Sequence, residues 1–421
     1  MKTICLSATA LAATALVAPS AEARPWGVHT IATPGPALSR GVDVASNGRA
    51  AVLLQRAARG SNRLELRVGG RTRLLDTSSH VFHATDVQHD ARGRFVVVWR
   101  RILGGAIQAF AWTPRGGRQQ VSDVHKSVSH LSLSVAPNGR AVLAYWSPEG
   151  VFLARGASGH GFDAPTTVAP AGTYAAQPGA AVSRAGRVVV AWSDGKRIMV
   201  RAASGAGPFG PAQPVALRPP GTGNTVVPGV PKIVMTSGGR AVVAVSSFEL
   251  RGSSPVPAQT PVVVDQRVEA FDWARKAARP STAATLSRGA TAGTAAVVAQ
   301  GASAMIAWTQ RPQGAPRALW VTRWTRAGLQ RPNVYDTRDL RLPVLLTRGP
   351  RGAVDAFYQA GGQRWFTVRL SAAGLYGGTS SVTPPGAQIP LIDVAAEGFR
   401  AIAGWTIGKR SSRVQLARPA S

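Results

Sequence analysis

The chain has 421 residues, 45% of them hydrophobic, and its 49 Lys and Arg against 19 Asp and Glu give a formal net charge of +30. The only cysteine, Cys5, lies in a leading segment expected to be removed, which excludes a disulfide, a thiolate metal site and a cysteine nucleophile from the mature chain. The arginines are dispersed and form no run of the kind that marks a nucleic-acid arm, so the charge predicts salt-sensitive attraction to polyanions rather than specific nucleic-acid recognition.

Residues 1–23 read as a secretory signal peptide. Lys2 supplies the positive start, Ile4 to Ala18 the apolar run, and Ala21-Glu22-Ala23 the small-x-small cleavage site. That run is too short for a membrane span, and no later segment is apolar for long enough to be a transmembrane one. The expectation is a secreted protein, in the extracellular space or on the outer face of the envelope, with 24–421 as one domain free of thiols.

Trp26 to Ile31 then reads as a lone strand. After it, an apolar stretch runs into a glycine-bearing turn and out into another apolar stretch, eight times over. The copies are 42–54, 85–99, 131–146, 178–192, 231–245, 294–308, 342–358 and 390–405. Their turn glycines are Gly48, Gly93, Gly139, Gly186, Gly239, Gly301, Gly352 and Gly398. A mean period of about 50 residues in an all-strand pattern marks a radial repeat, because one such unit cannot bury its own faces and must stack on neighbours.

The third repeat shows the grammar. Leu131 to Ala136 alternates apolar residues with serines, as an innermost strand does. Asn138-Gly139 is a turn that favours positive φ. Val142 to Trp146 is apolar at nearly every position, as a strand covered on both faces must be. Val151 to Arg155 and Thr166 to Ala169 complete four strands. The fifth repeat carries extra length in Phe248 to Thr260, which reads as a Pro/Ser loop. The eighth offers three strands, ending with Arg413 to Leu416. The predicted fold is all-β, an eight-bladed β-propeller of four-stranded blades, its ring closed by Trp26–Ile31 as the last blade's fourth strand. Seven blades plus an irregular unit is the alternative.

In this grammar the chain resembles the secreted bacterial β-propeller repeat proteins, sialidase-like in shape. The resemblance covers everything after residue 23. The sialidase Asp box, Ser-x-Asp-x-Gly-x-Thr-Trp, is not matched by its nearest segments, Ala136-Pro137-Asn138-Gly139-Arg140 and Ser193-Asp194-Gly195, and the Arg-Ile-Pro element is absent. The resemblance therefore implies a shape and carries over no catalytic residue.

Two sets of residues stand out as candidate sites. Trp99, Trp146, Trp192, Trp308 and Trp405, with Tyr358, recur at the end of the second strand. They form either an aromatic rim for sugars or, favoured by their recurrence, packing between blades. Asp43, Asp86 and Asp393 stand in or just before the innermost strands of repeats one, two and eight, consecutive in a closed ring, and predict an acidic pocket in the central channel. Against that, short acidic side chains commonly bind backbone amides at strand starts, and Asp86 lies two residues further from its turn glycine than the others. His80, His83, His89 and Asp90 lack the spacing of a metal site, and no carboxylate pair stands out for glycoside hydrolysis. The expected protein is a monomer without metal or cofactor, more simply a binder than an enzyme. Its partner would be an anionic polysaccharide, a cell-wall polymer or an extracellular protein. A divergent glycoside hydrolase or lyase and a structural interaction scaffold are the alternatives.

Overall fold

The computed structural model describes residues 26–31, 36–123, 127–170, 176–251, 262–287, 292–311, 315–336, 340–349, 352–360, 364–371, 376–383, 392–397, 400–407 and 413–419. The expected signal peptide with Cys5, the turn glycine Gly398 and the centre of the fifth-repeat insertion lie outside the described residues.

Among the described residues there is no α-helix, and no helix is long and apolar enough to cross a membrane. The strands form eight antiparallel sheets of four or five strands each. Sheets 1 to 7 follow the chain, and their innermost strands begin at Ala37, His83, His130, Ala176, Lys232, Ala296 and Leu340. Sheet 8 is assembled from both ends of the chain. Its inner strand, Asp393–Glu397, is followed outward by Arg400–Ile407, Arg413–Pro419 and the N-terminal strand Trp26–Thr30. The register of that last pair runs from Trp26 opposite Pro419 to Thr30 opposite Gln415. This is the pairing the sequence predicts for the N-terminal strand.

The second strand of each sheet explains why the sheets stand face to face. Val188–Ser193 and Ser303–Gln310 are buried at every position, as a strand is when another sheet covers each of its faces. The apolar core is accordingly distributed between sheets. Leu53 and Leu64 of sheet 1 pack on Val97 and Trp99 of sheet 2. The series continues through each consecutive pair to Phe357 of sheet 7 with Trp405 of sheet 8. A further cluster joins Val52 and Leu54 of sheet 1 to Ile402 and Leu416 of sheet 8. The innermost strands of all eight sheets line one cavity of roughly 690 Å³. The architecture is a β-propeller.

Polar residues on the innermost strands tie one sheet to the next. Gln88 donates from Nε2 to Leu133 O at 2.9 Å and accepts from Val135 N at 3.1 Å, so a side-chain amide replaces the missing neighbouring strand. Ser132 and Ser134 accept from the amides of Ala180 and Val182 at 3.1 and 3.2 Å. The hairpins at the ends of these strands also meet: Ala91 N donates to Pro137 O, and Ser237 N to Gly301 O. Buried backbone groups at sheet edges require partners, and these contacts supply them.

Two expectations are corrected. Phe248–Arg251 is strand and not loop, because the two strands Ala241–Arg251 and Val262–Trp273 pair along their full length, with Leu250 opposite Val263 and Arg251 opposite Val262. In the third repeat the residue equivalent to Trp99 and Trp192 is Tyr145, five places after the turn arginine, and Trp146 lies one residue further on, facing the other way.

Removal of residues 24–31 exposes the edge of Arg413–Pro419 and is expected to cost about 3–5 kcal/mol through lost ladder bonds and burial. A truncated chain that melts with the full-length one refutes a stabilising role for this strand. Gly179→Ala sets a Cβ 2.5 Å from Pro231 O and 3.1 Å from Ile233 Cγ2 on the adjoining inner strand. It is expected to destabilise by about 1–3 kcal/mol in denaturant melts, since backbone at that distance must move.

Candidate functional site

Pairing between the first and second strands gives every sheet a common ruler. The residue opposite the fourth position after the turn arginine, or after its counterpart, is Gly41 in sheet 1, Asp86 in sheet 2, Ser132 in sheet 3 and Gly179 in sheet 4. In sheets 5 to 8 it is Lys232, Ala296, Leu345 and Asp393. One level of the channel thus carries carboxylates on sheets 2 and 8, on either side of a glycine on sheet 1, and an ammonium group on sheet 5.

Asp86 and Asp393 share this register; Asp43 lies two residues nearer the hairpin. This reverses the sequence-based spacing, in which Asp86 was the outlier. Counting from the turn glycine misleads because the eighth hairpin closes on the Glu397–Arg400 pair, one residue sooner than the Ala136–Arg140 hairpin, and its glycine comes first rather than last.

All three aspartates border the channel, Asp86 and Asp393 at the main cavity and Asp43 with Asp86 at a continuation of roughly 390 Å³ toward the hairpins. Asp43 is held by His89, whose Nδ1 is 2.7 Å from its Oδ2, and it accepts from Val44 N at 2.9 Å. Asp393 accepts from Ser39 Oγ at 2.9 Å. Asp86 accepts from Gln88 Nε2 at 3.2 Å. Protein surrounds the Asp86 carboxyl although the channel reaches part of it. Burial first, then the charge of Asp43, pushes its pKa up to about 6, with Asp393 adding to the rise. Burial likewise raises Asp393, against the pull of Ser39 and Arg40.

Sequence reasoning missed the cations that face these acids. Lys232 lines the channel with its side chain exposed to it, yet burial by the surrounding walls lowers its pKa, while Asp86 acts to raise it. His130, beside it, is pushed down to about 4 by burial and by the charges of Lys232 and Arg100. Arg40 faces Asp393 and donates from Nε to Gln55 Oε1 at 2.9 Å. The available signal was register: Lys232 stands eight residues before Arg240, as Asp86 does before Arg94.

The aromatic candidates sit elsewhere. Trp99, Trp192, Trp308 and Trp405 are between 0% and 2% exposed, each in a cluster between two sheets, and Tyr358 is 0% exposed. Their rings present no face to a sugar, whereas Trp146 is partly exposed. The histidine group does not converge. His89 serves Asp43, Asp90 is taken by Arg94 and Ser158, and His80 Nδ1 lies 3.1 Å from Ser79 Oγ.

No protein-family model matches the sequence, and no curated protein matches it. Solved β-propellers resemble it at low identity. One is a prolyl endopeptidase, 13% identical, matched over 90% of this chain and 46% of that one with a TM-score of 0.44. The chain thus spans less than half of that enzyme. Another is the six-bladed lectin of Aleuria aurantia, with its fucose recognition mode, 13% identical over 72% of this chain and 97% of that one, TM-score 0.37. A third is the leech intramolecular trans-sialidase, 10% identical over 94% and 84%, TM-score 0.37.

The raised pKa of Asp86 fixes the sign of a pH effect. Below the unfolded value near 3.8 the protonated carboxyl carries no penalty, and stability is lost as pH rises through about 6, where the folded protein must ionise a buried group. Asp86→Asn is therefore expected to stabilise the protein at pH 7.5, by on the order of 1–3 kcal/mol, and to leave it unchanged near pH 4. Melting curves at both pH values decide it; equal effects at the two exclude the titration as the cause.

Proposed function

We propose that the protein is an exported, non-enzymatic β-propeller of eight blades, its ring closed by the N-terminal strand, acting as a monomer. Its ligand is an acidic glycan of the extracellular space or cell wall, bound at the central channel. The eight-bladed closed ring is supported by the core cluster that joins sheet 8 to sheet 1 and by the pairing of Trp26–Thr30 with Arg413–Pro419. Export rests on the character of residues 1–23.

The observation that carries the binding reading is the placement of Asp86, Asp393 and Lys232 at one level of the channel. Carboxylates on one wall accept from sugar hydroxyls, and the lysine opposite takes a carboxylate or phosphate substituent. The inner-strand serines Ser132 and Ser134 accept from the next sheet's backbone, and these charged groups, with Arg348 further along the wall, remain for a ligand. The net charge of +30 adds a long-range attraction for anionic polymers.

A second reading, a divergent glycoside hydrolase or lyase, is favoured by one feature. Asp86 holds its proton to about pH 6 with Asp43 and Asp393 close enough to act on it, and such a set can supply both an acid and a carboxylate.

A glycan array and purified cell walls, probed with the wild-type protein, Lys232→Ala and Asp86→Asn, test the proposal. Lys232→Ala is expected to weaken binding about tenfold, the usual effect of losing one charged hydrogen bond. Reducing-sugar release from the bound glycan that disappears in Asp86→Asn overturns the non-enzymatic reading. General retention on heparin should fall steeply by roughly 0.5 M salt, because exposed arginines act through counterion release.

A further inference from the structure

The junction of sheets 8 and 1 forms a second cavity, open to the surface and lined by other residues than the channel, of roughly 550 Å³. Its walls carry Arg49 after the first hairpin of sheet 1, Arg67 on the third strand, and Arg418 on the strand that pairs with the N-terminus. Among the described residues, no carboxylate lines it. Thr30 and Ile31, at the end of the N-terminal strand, complete the wall, so the cavity exists only where the two ends of the chain meet.

Arg49, like Arg140 in sheet 3, makes none of the side-chain bonds that hold other turn arginines. The arginine that follows the turn glycine is structural in sheets 2, 4 and 5. Arg94 donates from Nε to Asp90 Oδ2 at 2.7 Å. Arg187 donates from Nη1 to Gly239 O and Trp273 O at 2.8 and 2.9 Å, and Arg240 pairs with Asp272. In sheet 1 the position of Asp90 is taken by Ala45, whose amide bonds Arg49 O as that of Asp90 bonds Arg94 O. The Arg49 guanidinium therefore has no local carboxylate, and it makes no side-chain hydrogen bond or ion pair among the described residues. The same holds for the exposed Arg418. Arg49 and Arg418 therefore present two uncompensated guanidinium groups to one cavity, which is unfavourable unless an anion compensates them.

We propose that this seam cavity binds an oligoanion, specifically a carboxylated glycan segment whose acidic groups Arg49, Arg67 and Arg418 receive together. The planar guanidinium fork matches a carboxylate through two parallel hydrogen bonds. The volume falls within the roughly 300–1,000 Å³ common for small-ligand sites. A ligand held on both sides of the junction also stabilises it, because anything that binds only the folded state raises the melting temperature. The site is independent of the channel reading and stands if that reading fails.

Calorimetric titration and thermal melting of the full chain with an oligogalacturonate, and separately with an inorganic polyphosphate of similar length, at physiological salt, test it. The double variant Arg49→Ala/Arg418→Ala is expected to lose oligogalacturonate affinity by tenfold or more and to lose the ligand-induced rise in melting temperature. Arg279→Ala/Arg326→Ala removes the same charge from exposed positions elsewhere and should change affinity less than about twofold. The seam variants are also compared in a Lys232→Ala background, so that any binding at the channel drops out of the difference. Unliganded melting of the seam variant checks that it folds, and Arg49→Gln/Arg418→Gln repeats the test with hydrogen-bonding side chains retained. An equal loss in the two double variants means dispersed charge and overturns the site, as does no loss in either. Polyphosphate binding as tightly as the oligogalacturonate overturns the assignment to a carboxylated glycan.

Discussion

A sheet of this protein cannot exist alone, because its second strand is apolar on both faces. Val96, Val97 and Val98 all have 0% exposure, and they reach it by dividing between two cores: Val97 packs toward sheet 1, Val96 and Val98 toward sheet 3. Every other sheet repeats this division. A linear array built on such a rule leaves one apolar face at each end. Packing of Leu54 and Val52 against Ile402 and Leu416 removes both ends at once. In this way the burial requirement of each strand accounts for the stacking of consecutive sheets and for the packing of sheet 8 on sheet 1 among the described residues.

The same rule decides where the large aromatics go. The position five places after the turn arginine, or its counterpart, is Leu54, Trp99, Tyr145, Trp192, Val245, Trp308, Tyr358 and Trp405, and each fills the gap on the side of the preceding sheet. Its size varies from valine to tryptophan, so the wedge differs in width from one junction to the next. Stacking partners take up the difference. Trp99 lies on Phe110 with centroids 5.9 Å apart, and Trp308 lies on Trp320 at 6.4 Å. A tryptophan fully enclosed in this way contributes stability and contributes nothing to recognition.

Much of this was legible in the sequence because burial has a period. Strand order, turn placement and the N-terminal strand's partner follow from alternation and from recurring glycines. Trp146 was misassigned because two adjacent aromatics, Tyr145 and Trp146, stand where other repeats have one, and a shift of one residue turns a strand side chain to the opposite face. The channel was half legible. Three acidic residues at the heads of repeats suggested it, yet their relative heights depend on turn length, which shows only in the pairing of Glu397 with Arg400. Lys232 went unseen because acidic residues alone were compared between repeats, although it stands eight residues before Arg240 as Asp86 does before Arg94. Arg49 escaped for the opposite reason: it belongs to a repeated Gly-Arg pattern whose members look alike, and Ala45 does not set it apart because Ala136 holds the same place before Arg140.

The distribution of charge gives the two cavities different physical characters. At the surface, arginines act through a field that salt screens over about 8 Å under physiological conditions, so they govern how often an anionic polymer arrives. Within the channel, Asp86, Asp393 and Lys232 are surrounded by walls that hold back bulk water, and their interactions are screened far less. The acids there oppose the sign of the whole protein. A polymer drawn in by the surface therefore meets local repulsion on one wall of the channel, and only a segment that offers hydroxyl or cationic groups to that wall and an anionic group to Lys232 is matched on both sides. For the glycan ligand proposed above, attraction without sequence or shape preference at the surface, followed by a polar test in the channel, would separate the rate of encounter from the choice of ligand.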